Sequence, residues 1–451
     1  MSNVIEQPRF SCALGAQHTV LAIKRAVPVV HAGPGCASKT FQFVSQSAGN
    51  QGESFGGGGQ VSCTNTGQSE VVFGGEEKLR NLIDGALKVI DADLYVVMSG
   101  CTSGIVGDDV VSVAGEFASD GHSVVGVETS GFKGNTYFGH ELVIKAIIDQ
   151  FIGDVTPHKE EKLVNVFSVV PYQDPFWRAD LEEIKRLLEA IGLKVNILFG
   201  PLSGGIEEWR TVPNAQFNLV LNPWVGLEVA QHLKEKYGTE YLHYPNLPVG
   251  GRATSDFLRT VTEFAGLDKD KTEQFIAKEE DRFYEYIVAL ADFATDMRNN
   301  IPNRLYVVGD AAYALGCADF IAGELGFIPE GVYIDDDPVA NVTKDMIMEN
   351  AKNLSDGISD VIRIEADGGL IQKDMQEKLG DTTRALVMGS TWEEIVTKPH
   401  NNLLIHLSLP LSDDVILNRS FVGYNGGLRL TEEIFSGIYK KGKVNFATQA
   451  V

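Results

Sequence analysis

No apolar run in the 451-residue sequence approaches the ~20 residues that cross a bilayer. A membrane-spanning helix is therefore not expected. Met1 to Arg9 is polar and has no apolar h-region, so no secretory signal is expected and a cytoplasmic location is. Cysteine is scarce and odd in number, at five. That argues against a disulfide scaffold and for a reducing compartment. Lys and Arg number 38 against 61 Asp and Glu, for a formal net charge of −23. A chain this acidic is unsuited to binding nucleic acid through a broad surface, and its charged partners must be locally basic. There is no GxGxxG after a strand and no GxxxxGK[ST]. Dinucleotide and P-loop readings therefore have no support.

What is present is a balanced globular composition, 44% apolar and 22% charged, with 47 glycines. Short apolar runs alternate with stretches of helical periodicity. Val27–Ala32, Leu94–Met98 and Ser123–Val127 are predicted strands; Leu79–Ile90, Val110–Phe117 and His140–Phe151 are predicted helices. The alternation restarts with strands Val164–Val170 and Leu193–Phe199 around helix Arg178–Ile191. It restarts again at Leu305–Val308, after the long charged helix Lys269–Met297. Strands alternating with helices of this length predict parallel sheets built from βαβ units. The expected fold is α/β, with three doubly wound, Rossmann-like domains at 1–155, 156–300 and 301–451. In such sheets ligands sit beyond the carboxyl ends of the strands. The run Gly56–Gly59 is expected to be a loop.

Four of the five cysteines fall in the first 101 residues. Cys36 follows the turn Gly33-Pro34-Gly35, and Cys101 follows Ser99-Gly100 at the end of a predicted strand. No CxxC is present, which excludes a zinc ribbon and a ferredoxin run. Two readings stay open: small buried hydrophobes, or an iron–sulfur site. Three thiolates are one short of the usual four per cubane. A three-thiolate site needs an open position, another ligand type or a cluster shared between subunits.

The motifs around these cysteines are Cys12-Ala-Leu-Gly-Ala-Gln17, Pro28-Val-Val-His31-Ala-Gly-Pro-Gly-Cys36, Glu70-Val-Val-Phe-Gly-Gly75, Cys101-Thr-Ser-Gly-Ile-Val-Gly-Asp-Asp109 and Thr129-Ser-Gly-Phe-Lys-Gly-Asn135. In order and spacing they resemble the nitrogenase component 1 superfamily across residues 10–135. Leu221-Asn-Pro-Trp224, Pro245-Asn-Leu-Pro-Val-Gly250, Val308-Gly-Asp310 and His406-Leu-Ser-Leu-Pro410 continue the resemblance more weakly.

The resemblance implies that Cys12, Cys36 and Cys101 hold an iron–sulfur cluster of the P-cluster type (eight irons, seven sulfurs) shared with an α-type subunit. Ser130 stands where β-type chains often have a serine that joins the oxidised cluster; a simple turn hydroxyl is the alternative. Between Cys101 and Cys317 there is no cysteine, and Cys317 reads as a core thiol. The active-site cofactor is therefore expected in the partner, and this chain resembles the β-type, electron-relay subunit of an α2β2 assembly. An ATP-dependent iron–sulfur reductase is the implied transient partner, docking near Glu70–Gly75 and Gly104–Asp109. The short N-terminal extension and the glycine-rich segment Gln51–Thr66 resemble the nitrogenase-like branch that includes methylthio-alkane reductases. Nitrogenase β subunits, tetrapyrrole reductases and cofactor-assembly scaffolds are the alternatives. Cys63 is read as a spectator, His18 and His31 as satisfied packing histidines, and Asp335-Asp336-Asp337 as a solvated turn.

Overall fold

The structure, a computed structural model, describes residues 5–52, 61–298, 300–338, 340–380, 384–400 and 402–448. Gly56–Gly59 lies outside them. Three parallel sheets follow one another along the chain. The first contains β1 (Ala26–His31), β2 (Ser62–Cys63), β3 (Leu94–Ser99) and β4 (Val124–Val127), in the order β2-β1-β3-β4. The second contains β5 (Glu160–Phe167), β6 (Lys194–Asn196), β7 (Ala215–Val220) and β8 (Glu240–His243), in the order β6-β5-β7-β8. The third contains β9 (Arg304–Gly309), β10 (Ile328–Ile334), β11 (Ile362–Ile364), β12 (Ala385–Gly389) and β13 (Leu403–His406), in the order β11-β10-β9-β12-β13. The α/β class with parallel sheets is as the strand–helix alternation predicts.

The strands read as unbroken apolar runs because both of their faces are covered. In β3, Leu94, Val96 and Met98 pack into the large central core, while Tyr95 and Val97 pack into a second core against the opposite helices. In β9, Leu305 and Val307 face the same central core, and Tyr306 and Val308 face a third. This is the period-two alternation of a strand, hidden in the sequence because neither face is polar.

Several elements depart from expectation. The predicted strand Leu193–Phe199 is a strand only over Lys194–Asn196. Leu198 has φ +65°, which turns the chain out of the sheet. The last helix, for which the sequence pattern predicts Gly426–Tyr439, starts earlier and runs further, over Gly423–Thr448. Helices Pro34–Gln46, Gln68–Phe73, Gly250–Ala265 and Gly368–Leu379 have no counterpart in the sequence reading. Asp335 and Asp336 are not in a solvated turn: they are 3% and 2% exposed. Among the described residues no helix is long and apolar enough to cross a membrane.

Candidate metal centre

Cys36 and Cys101 each sit just beyond the end of a strand of the first sheet. Cys101 opens the helix Cys101–Val106 directly after β3, with Gly100 at its N-cap. A Cβ on Gly100 would lie 2.5 Å from the Ala32 Cβ, so glycine is what lets the ends of β3 and β1 lie together. Cys36 is the third residue of helix Pro34–Gln46, which follows β1 with proline at its first position. Cys12 precedes the 3₁₀ turn Ala13–Ala16 and pairs as an isolated bridge with Asn135.

The loop after β4 brings two of these thiols together. A Cβ added to Gly131 would lie 2.9 Å from Cys101 Sγ and 3.0 Å from Cys12 Sγ. Gly131 therefore lies between the two sulfurs, where any side chain would displace one of them. Cys12 and Cys101 are exposed and Cys36 is half-buried. The Cys36 thiol is pushed above its ordinary pKa, first by burial and then by the negative charge that Cys12, Cys101 and Cys63 thiolates place near it. Cys12 and Cys101 thus meet at Gly131, and Cys36 lies within reach of their charge and of that of Cys63. Cys317 is a fully buried core thiol, as expected.

Ser130 is 1% exposed. Its hydroxyl donates to the Gly100 carbonyl at 3.1 Å and sits 3.4 Å from Ser99 Oγ. Those contacts are those of a turn hydroxyl holding the loop to the strand end. His31 is a satisfied packing histidine. Its Nε2 lies 2.8 Å from Asp108 Oδ2 and its Nδ1 3.1 Å from Thr64 Oγ1. Asp108 also accepts the Gly75 N–H at 3.0 Å, so one buried carboxylate ties β1 to the segments Glu70–Gly75 and Gly104–Asp109. His18 departs from expectation: it is buried and stacked on Phe43 at 4.5 Å, but neither ring nitrogen has a hydrogen-bond partner. Burial pushes its pKa down to about 3.

Two features escape the sequence reading. The first is the anchor of the Cys12 segment. Arg9, buried, donates to Glu393 Oε2 at 2.8 Å and Oε1 at 2.5 Å, and to Ser390 Oγ at 3.1 Å. Its Nε lies 3.5 Å from Asp335. Burial opposes the charge, but Glu393 and Asp335 hold the guanidinium above its ordinary pKa. The second is an apolar rim. Phe73 is 87% exposed, with Val72, Ile105 and Phe132 also exposed on segments that flank the thiols. Large exposed apolar side chains grouped beside a polar basin mark an interaction surface. Charge gives no cue to either feature, although Val-Val-Phe in the Glu70–Gly75 motif is a visible signal for the rim.

A sequence profile described as nitrogenase component 1 type oxidoreductase matches residues 11–439. The chain belongs to the nitrogenase component 1 family. Within it, the chain is 26% identical to a nitrogenase molybdenum-iron protein beta chain of Methanococcus maripaludis, over 95% of this chain and 93% of that one. It is 24% identical to a nitrogenase iron-iron protein beta chain of Rhodobacter capsulatus, over 96% and 93%. A solved structure titled "Nitrogenase Cp1 at pH 6.5" superposes with a TM-score of 0.77 at 21% identity, over 98% of this chain and 94% of that one. The last comparison establishes the shared fold.

An iron–sulfur centre is the cofactor that the nitrogenase component 1 family implies, and the residues present fit one. Soft thiol donors converge, a glycine keeps the space between two of them clear, and two thiols face outward. Among the described residues no three His, Cys, Asp or Glu side chains close on a single ion.

Proposed function

We propose that this chain is the β-type electron-relay subunit of a nitrogenase-like, ATP-dependent multi-electron reductase. One observation carries the reading: the exposed thiols of Cys12 and Cys101 meet at Gly131, with the half-buried Cys36 within reach of their charge, beside exposed apolar side chains. Three donors leave part of a cluster's coordination to another chain. An α-type subunit seated on this face, in an α2β2 assembly, completes it. A shared P-cluster-type centre, when bound, supplies one-electron acceptance and release.

The chain's own residues have distinct parts. Cys12, Cys36 and Cys101 are the metal ligands. Gly131 keeps the space between Cys12 and Cys101 open, and Ser130 pins the loop that carries it. Phe73, Ile105 and Phe132 exclude water once a partner covers them. The transient iron–sulfur reductase docks near Glu70–Gly75 and Gly104–Asp109, which Asp108 braces against each other. The active-site cofactor belongs to the α-type subunit. In this chain Arg9 joins Glu393 and Asp335, and Trp224 joins Asp336.

For the substrate we propose the nitrogenase-like branch, with reductive C–S cleavage of methylthio-alkanes to methanethiol and a hydrocarbon. The departures at Gln51–Thr66 motivate that choice. The likeness to two nitrogenase beta chains favours a second reading, dinitrogen reduction. A product assay separates them. The complex is purified anaerobically with its native partner and given its reductase, ATP and either dinitrogen or a methylthio-alkane. Methanethiol and hydrocarbon with little ammonia support the first reading. Ammonia as the main product overturns it. Neither product from iron-loaded protein moves the assignment to an assembly scaffold or a tetrapyrrole reductase.

A further inference from the structure

We propose that Cys63 is a positioning residue for Cys36: its S–H group braces the turn from which Cys36 emerges, and its sulfur is not a metal ligand. The inference rests on the reading of Cys12, Cys36 and Cys101 as cluster ligands.

Cys63 ends β2, the two-residue edge strand that pairs in parallel with β1 in the register Val30 to Cys63. The pairing is continued by backbone bonds on both sides of the thiol's neighbours. Thr64 N donates to the Val30 carbonyl and Thr66 N to the Ala32 carbonyl, each at 3.0 Å. Cys63 Sγ lies 3.3 Å from the Ala32 carbonyl oxygen and 3.6 Å from that of Gly33. The Gly33 carbonyl is the same one that accepts the Cys36 N–H, at 3.3 Å. On its other side the sulfur accepts the Asn65 N–H at 3.5 Å.

These contacts orient the thiol. A donor sits on its lone pair, and its own hydrogen faces two carbonyls. A free thiol is protonated at neutral pH, and burial raises the Cys63 pKa further. The S–H is therefore available as a donor. Thr66 N–H and the Thr64 hydroxyl already hold the Ala32 carbonyl at 3.0 and 3.2 Å, so what the thiol adds falls on the Gly33 carbonyl, in a turn where Gly33 and Gly35 flank Pro34 and neither glycine has a crowded Cβ position. A ligand on a glycine-flanked turn needs such outer support to keep its sulfur in place. As a thiolate ligand, Cys63 would lose its S–H and with it both carbonyl contacts.

The test compares wild type, Cys63→Ser and Cys63→Ala, each as the anaerobic complex with its native partner. Serine keeps a donor at this place; alanine removes it. The brace predicts equal iron at isolation in all three. It predicts iron loss to a ferrous chelator about fivefold faster in Cys63→Ala, the effect of one weak hydrogen bond. Cys63→Ser stays within about twofold of wild type by the same reasoning. The electron paramagnetic resonance spectrum shifts in Cys63→Ala only. Loss of iron at isolation from both variants overturns the proposal in favour of a fourth ligand. Indistinguishable behaviour of all three overturns it in favour of a spectator. Amide exchange at Cys36 in the full-length, metal-free chain reads the turn without any cluster: it quickens in Cys63→Ala and not in Cys63→Ser. If the wild-type complex carries no iron, the relay reading and the metal role of Cys63 both fail, while the exchange result still decides whether the turn is braced.

Discussion

Replacing Asp336 with asparagine removes one proton-binding group from the interior and little else. Asp336 is buried, with one carboxylate oxygen accepting the Trp224 Nε1–H at 2.6 Å and the other without a partner. Burial is the largest influence on it. The negative charge of Asp310 adds to burial and the Trp224 hydrogen bond opposes it, and together they raise the pKa from 3.8 to about 7. A raised carboxyl pKa means that the folded state holds the proton more tightly than the unfolded chain. Its stabilising effect is complete below about pH 4 and is lost as the pH climbs through about 7. The full difference, about three pKa units at 1.36 kcal/mol each, is about 4 kcal/mol. Between pH 5 and pH 8 the wild type should lose roughly 2–3 kcal/mol through this group. Asparagine keeps an acceptor for Trp224 and has no proton to lose. Urea midpoints measured at several pH values, at constant slope, report the difference. Asp336→Asn should show the shallower decline, and its advantage should grow with pH. Parallel profiles, or a variant that is weakened equally at pH 5 and pH 8, would refute the argument. The second result would mean that the carboxylate is charged and compensated in the folded protein.

Gly131→Ala should lower iron content while leaving far-ultraviolet circular dichroism unchanged, because the new methyl carbon would fall within 3.0 Å of the Cys12 and Cys101 sulfurs. Full iron occupancy in that variant would remove Gly131 from the site. Arg9→Ala leaves Glu393 buried without its cation and should cost about 3–5 kcal/mol, read as a lowered thermal midpoint. A cost under about 1 kcal/mol would place Glu393 in the protonated form instead.

The sheets were legible because parallel strands buried on both faces leave long apolar runs, as in Leu94–Ser99 and Arg304–Gly309. Helix Pro34–Gln46 was not, because only Thr40 and Val44 along it are buried and no apolar stripe marks it. The cysteines stood out through their glycine-flanked positions and the motifs around them. Their convergence depends on the loop after β4, which spacing along the chain does not reveal. The charge of Asp335 and Asp336 points to solvent, whereas the structure buries both. Asp335 is met by Arg9 and Asp336 by Trp224, hundreds of residues and about one hundred residues away in the chain, and both partners only partly offset burial, which raises the two carboxyl pKa values. Local sequence carries no trace of such pairings. Buried polar pairs of this kind become visible only once the sheets are assembled.

The central claim is that Cys101, with Cys12 and Cys36, binds an iron–sulfur cluster at a subunit interface. Iron analysis and electron paramagnetic resonance of the anaerobically purified complex, wild type against Cys101→Ala, test it most directly. Cys101 is exposed, so its truncation should leave the fold intact. The account predicts iron and a cluster signal in the wild type, with both depleted in a folded, partner-bound Cys101→Ala variant. Equal iron in the two proteins would contradict it.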